Sequence, residues 1–176
     1  MADDRRRIDR FLDPSYTADL GARTVADLRL MKAECVEVET ESSYLRRLAQ
    51  ARIDIMQAEM DRRASGGSIG DLIAALPSIL ADDGARPSVT GGRVSQTLAP
   101  DMSIDFNRGL EHLVGDDTLA NLPLLSEEEL ERSHGLVRSF ERAISEARKS
   151  LHGVIGLLER ELSGRLKDAY PHETDF

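Results

Sequence analysis

The chain has 176 residues and a formal net charge of -9, with 31% charged residues, 4% aromatic residues and no Trp. That length fits one domain with loose ends, and so few aromatics disfavour a sandwich or barrel, whose strands draw on aromatic and β-branched side chains. An acidic chain is poorly suited to general nucleic-acid binding, which rests on phosphate attraction, and better suited to a basic protein partner, including one that itself binds DNA. The single cysteine, Cys35, allows no intrachain disulfide and points to a reducing compartment. No apolar run follows the N-terminal arginines, so no signal peptide is read, and no window approaches the about 18 apolar residues of a spanning helix. The expected location is the cytoplasm.

In chain order, residues 1–23 read as a mostly irregular tail containing Pro14 and Gly21. Thr24 and Asp27 form a capping-box variant that opens a long helix over about 24–65. Gly66 and Gly67 supply its stop. A short amphipathic helix follows over about 68–80, with Ser68 placed to cap it and Pro77 expected to weaken or end it. Residues 81–125 form a flexible linker rich in Gly, Pro, Ser and Asp, with one or two helical turns near 106–114. Ser126 and Glu129 make the clearest capping box in the chain and open a second long helix over about 126–168. Gly135, Gly153, Gly156 and Gly164 weaken that helix locally and call for a packing or ligand reason, failing which the helix frays there. Residues 169–176 are a C-terminal tail.

Two helices of about 40 residues, each roughly 60 Å long, cannot be buried in a compact domain of this size, so their apolar stripes must cover each other. The fold class is therefore all-α: residues 24–168 form an antiparallel coiled-coil hairpin of two long helices, with one short intervening helix and a flexible linker. A homodimer of parallel pairs is the competing arrangement.

At about 100° per residue, Val38, Leu45, Leu48, Ala49, Ile53, Ile55, Met56 and Met60 form the seam of the first helix. Glu39, Ser43, Arg46, Gln50 and Asp54 form one continuous polar stripe along an edge of that seam. On the second helix, Val137, Phe140, Ile144, Leu151, Ile155 and Leu158 form the seam, and Glu141, Ser145, Arg148 and His152 flank it on the same rotational side. Helices with stripes of one hand bring both stripes to one face when antiparallel, and to opposite faces when parallel. The composite face would have pseudo-two-fold symmetry and suit a two-fold ligand. Arginine forks bind phosphate, and carboxylates accept the paired N–H groups of a guanine edge. Two arginines, two or more acids and a two-fold axis describe a cyclic dinucleotide with two guanines and two phosphates.

These residues carry a resemblance. Glu39, Ser43, Arg46, Gln50 and Asp54 match the E-x3-S-x2-R-x3-Q-x3-D signature of the RsiG family of actinobacterial anti-sigma factors. The resemblance implies an antiparallel coiled coil that binds cyclic-di-GMP, singly or as a dimer, as a regulatory ligand. It also implies a WhiG-type sigma factor as the partner, held from RNA polymerase by the loaded protein so that late developmental (sporulation) genes are repressed. Carried over residue by residue, it makes Glu39, Ser43, Arg46, Gln50, Asp54, Glu141, Ser145, Arg148 and His152 the cyclic-di-GMP-binding residues. The second copy departs from the signature, with His152 in place of Gln and Gly156 in place of Asp.

Other readings are weaker. Glu59, Asp61, Arg62 and Arg63 read as solvated charges, Cys35 as a small seam residue, and the methionines of the first helix as packing. Gly66, Ser68 and Gly70 spell G-x-S-x-G, but between helices that is a turn and a cap, not a nucleophile elbow. His112, His134, His152 and His172 have no metal-ligand spacing. No enzyme, no direct DNA binding and no membrane association are expected. The alternative function is a coiled-coil adapter or scaffold that needs no nucleotide.

Overall fold

The computed structural model describes residues 8–81 and 116–169, and all regular elements among them are helical. Residues 8–12 form a helical turn, followed by 3-10 turns at Pro14–Thr17 and Leu20–Ala22. Helix α1 spans Val25–Ser65, α2 spans Ile69–Ala81, α3 spans Asp116–Ala120, and α4 spans Glu127–Ala169 after a 3-10 turn at Leu122–Leu124. The linker expected over 81–125 thus holds ordered turns from Asp116 onward, pinned by Leu122, which is buried. The helical turns expected near 106–114 lie outside the described residues, as do the last residues of the C-terminal tail.

Local chemistry explains each helix boundary. Thr24 Oγ1 accepts from the Asp27 N–H at 3.1 Å, and Asp27 Oδ2 accepts from the Thr24 N–H at 3.1 Å, closing a capping box. Ser68 with Asp71 and Ser126 with Glu129 form the same reciprocal pair at the starts of α2 and α4. Helix α1 stops at Gly66, whose φ of 68° suits a residue without Cβ. There the Gly67 N–H donates to the Arg62 carbonyl at 2.9 Å and the Gly66 N–H to the Arg63 carbonyl at 3.2 Å, a Schellman ending. Helix α2 runs through Pro77, which removes one backbone donor without ending the helix. Helix α4 also runs through its glycines. A Cβ would meet nothing within 4 Å at Gly135, Gly153 and Gly164, so packing does not require glycine there.

The chain divides into two compact units, and both long helices pass through the division. One unit is Met1–Ser43 with Ser145–Phe176. Its core is Phe11, Leu28, Cys35, Val38, Leu151, Ile155 and Leu158. The N-terminal segment read as mostly irregular contributes to this core from residue 8 onward: Phe11 is buried, and Ile8, Leu12, Tyr16 and Leu20 pack around it. The reason is apolar residues spaced for short turns, which periodicity over long windows does not detect. Arg165 fastens the segment by donating to the carbonyls of Leu20 at 2.7 Å, Gly21 at 3.0 Å, and Arg23. Lys32 pairs with Glu159 at 2.9 Å and Glu39 with Arg148 at 2.8 Å, so partners of later α1 residues lie earlier on α4.

The second unit is Tyr44–Ile144. Ala49, Met56, Leu122, Leu130 and Val137 form its core. Here the reading of Glu59, Arg62 and Arg63 as solvated charges is corrected. The Glu59 side chain is fully buried, because it lies on the seam at about -40° from Leu45. Its Oε2 accepts from Arg62 Nε at 2.6 Å, and its Oε1 accepts from Arg62 Nη2 and Arg63 Nε, each at 2.7 Å. Arg62 also donates to the Gly67 carbonyl at 2.7 Å, and Arg63 to the carbonyls of Leu122 and Leu125, each at 2.9 Å. One carboxylate thereby joins the end of α1, the turn into α2 and the turn into α4. The Arg62 hydrogen bonds outweigh burial and, with Arg63, hold the Glu59 carboxyl down at about 2.

Glu59→Ala should cost on the order of 3 kcal/mol in a urea melt, because two half-buried guanidiniums lose their counter-charge. The Glu59 contribution is fully present above about 4.5 and is lost as pH falls through about 2, so Glu59→Gln should flatten the acid limb of the stability profile. Phe11→Ala should cost about 3 kcal/mol by leaving a cavity, read in the same melts; a change below about 0.5 kcal/mol would mean that the N-terminal turns add nothing to the core.

Candidate functional site

The first polar stripe is neither solvated nor sealed: Glu39, Ser43, Arg46, Gln50 and Asp54 are all half-buried. A freely solvated helix face would leave long polar side chains exposed, and a core face would exclude them. On α4, Glu141, Ser145 and Arg148 are half-buried as well, and His152 is exposed.

In the unit that holds Glu39, the two stripes meet. Glu39 Oε1 accepts from Ser43 Oγ at 2.7 Å, from Arg148 Nη2 at 2.8 Å and from Arg148 Nε at 3.1 Å. His152 Nε2 stands 3.3 Å from the same oxygen. Burial pushes the Glu39 carboxyl up, but the hydrogen bonds from Ser43 and Arg148, with the charge of Arg148, bring it below the usual glutamate range. At the place where the signature has an acid, Gly156 leaves room for a Cβ, whose nearest neighbour is Arg160 Nη1 at 3.7 Å.

In the unit that holds Arg46, the reciprocal pair forms. Arg46 Nη1 lies 3.8 Å from Glu141 Oε1, a looser contact than that of Arg148 with Glu39. Gln50 Nε2 donates to Asp54 Oδ1 at 3.0 Å along α1. The glutamate of each motif copy therefore faces the arginine of the other. Arginine in such a pair offers a phosphate fork, with opposite charges already matched.

The correspondence of the copies extends beyond the stripes. At one constant spacing in the chain, Leu20 answers to Leu122, Thr24 to Ser126, Asp27 to Glu129, Glu39 to Glu141, Arg46 to Arg148, Glu59 to Glu161 and Arg63 to Arg165. Arg165 Nε donates to Glu161 Oε1 at 2.9 Å and its other donors gather the carbonyls before α1, as Arg63 Nε donates to Glu59 and its other donors gather the carbonyls before α4. Sequence reasoning missed these two anchoring arginines. The signal was present as Glu-x3-Arg at the same interval that separates the two motif copies.

Among the described residues, two long helices each carry one copy of the same polar motif, the second copy with His152 and Gly156 at its last two positions. Residues 14–80, less than half of the chain, are similar to a family model described as RsiG-like. The match takes in all of α1 with its complete motif copy, and most of α2. A comparison with curated proteins gave no match.

Arg148→Ala should return the Glu39 carboxyl upward toward the ordinary glutamate range, read by a carbon-detected carboxyl titration. Because the folded value is lowered in the wild type, the variant should lose stability above that range and converge on the wild type as pH falls. An unchanged titration would mean that Ser43 alone sets the Glu39 carboxyl.

Proposed function

We propose that this protein is an anti-sigma factor whose two long helices form an antiparallel coiled-coil hairpin and whose motif clusters bind cyclic-di-GMP. The observation that carries the reading is the reciprocal pairing of the motif copies, Glu39 with Arg148 and Glu141 with Arg46. The opposite order of partners along α1 and α4 supports the hairpin, and the RsiG-like match over 14–80 supports the anti-sigma role. Each cluster has one arginine for a phosphate. Asp54, steadied by Gln50, is the acid suited to a guanine edge in one unit, whereas the other unit has Gly156 at that place and offers His152 beside Glu39.

In this reading the loaded protein holds a WhiG-type sigma factor away from RNA polymerase in the cytoplasm and represses late developmental genes. The net charge of -9 favours encounter with a basic DNA-binding partner. Helix α2 buries Leu72 but exposes half or more of Ile69 and Ile73, an apolar surface for that partner. The ligand works by binding the sigma-competent state more tightly than the other state. No described helix is long and apolar enough to cross a membrane, so nothing in these helices opposes a soluble partner.

The ion pairs across α1 and α4 would also serve an adapter that needs no nucleotide, and calorimetry separates the two. Cyclic-di-GMP titrated with and without the sigma factor should give heat in the micromolar range. Arg46→Ala and Asp54→Ala should each weaken binding at least about tenfold with helicity unchanged. Silence at tens of micromolar ligand, partner present or absent, leaves the adapter.

A further inference from the structure

The side chain at the centre of the Glu39 cluster is better placed to hold an arginine than to read a base. Glu39 is half-buried, with 17% of its side chain exposed, and its Oε1 already accepts three hydrogen bonds, one from Ser43 and two from Arg148. His152 Nε2 crowds the same oxygen at 3.3 Å. Paired recognition of a guanine edge needs both carboxylate oxygens free to receive N1–H and N2–H. One of the two is committed.

The geometry at Arg148 completes the argument. A guanidinium has two forks: a side fork of Nε with one Nη, and an end fork of the two Nη groups. Glu39 occupies the side fork, through Nε and Nη2. The end fork remains for an incoming oxyanion, and a quarter of the Arg148 side chain is exposed, so the approach is not sealed. Arginine is a long side chain that loses rotamer freedom on binding, and a carboxylate that fixes it beforehand removes part of that cost.

We infer that Glu39 is a positioning residue, which fixes Arg148 by its side fork so that the end fork meets a phosphate of the ligand. This rests on the cyclic-di-GMP reading and reassigns Glu39 within it. Glu39 needs to be an acceptor of the right length here, and its negative charge is secondary. Glutamine keeps that acceptor and alanine removes it.

The experiment is a calorimetric double-mutant cycle with cyclic-di-GMP on the full chain. Glu39→Ala should weaken binding about tenfold or more, and Glu39→Gln should stay within about threefold of the wild type. In the Arg148→Ala background, Glu39→Ala should cost nothing further, because the group that it positions is gone. Far-UV circular dichroism accompanies each variant. Should Glu39→Ala melt, Glu39→Gln decides alone, since the isosteric amide either retains binding and upholds the inference or loses it and overturns it. Equal losses for Gln and Ala, or the same loss with and without Arg148, would assign Glu39 to direct contact with the ligand. A wild-type protein that binds no cyclic-di-GMP defeats the ligand reading itself, an outcome separate from wild-type binding with variants that do not follow the cycle.

Discussion

A carboxylate carried into a protein interior must bring its cations with it, because burial of an unpaired charge costs several kcal/mol. That constraint organises the described structure. Glu59 lies on the packing seam of α1, so Arg62 and Arg63 must come inward with it, and their remaining N–H groups must find acceptors. The acceptors are backbone carbonyls of Gly67, Leu122 and Leu125, which ties two turns to the end of one helix. Glu161 and Arg165 repeat the device in milder, half-buried form, and Arg165 draws the turns before α1 onto its unit. Each long helix thus starts from a turn that an arginine of the other long helix holds.

The motif clusters obey the same rule at intermediate depth. A half-buried Glu39 needs the donors that Ser43 and Arg148 provide, and a half-buried Arg46 lies against Glu141. Charges at this depth are partly open to solvent and attract one another more strongly than fully exposed charges would. The two pairs are unequal: Arg148 makes two hydrogen bonds to Glu39, whereas Arg46 stands 3.8 Å from Glu141. The signature residues diverge on the same helix, with His152 and Gly156 on α4 where Gln50 and Asp54 stand on α1.

Much of this was legible before any coordinates. The capping boxes at Thr24 and Ser126, the Ser68 cap and the Gly66–Gly67 stop set helix boundaries by contacts between near neighbours, which a short string of residues contains in full. The stripes were legible because helical periodicity fixes angles. The spacing of Glu to Arg was also on the page. It is seven residues in both copies, so an opposed register that brings Glu39 to Arg148 also brings Arg46 to Glu141. Glu59 reads as solvated by its charge alone, whereas its angle puts it on the seam.

The helical elements, their ends and the polar rows follow from the order of residues alone, since each depends on residues within about one or two turns of one another. Packing in three dimensions settles which charges are buried, that turns from residue 8 onward belong to a core, and that Glu39 commits an oxygen to Arg148. Those facts depend on residues 59 to 145 positions apart meeting at a particular depth. Depth sets whether a carboxylate is a solvated ornament or a fixed acceptor, and no pattern along one helix contains it.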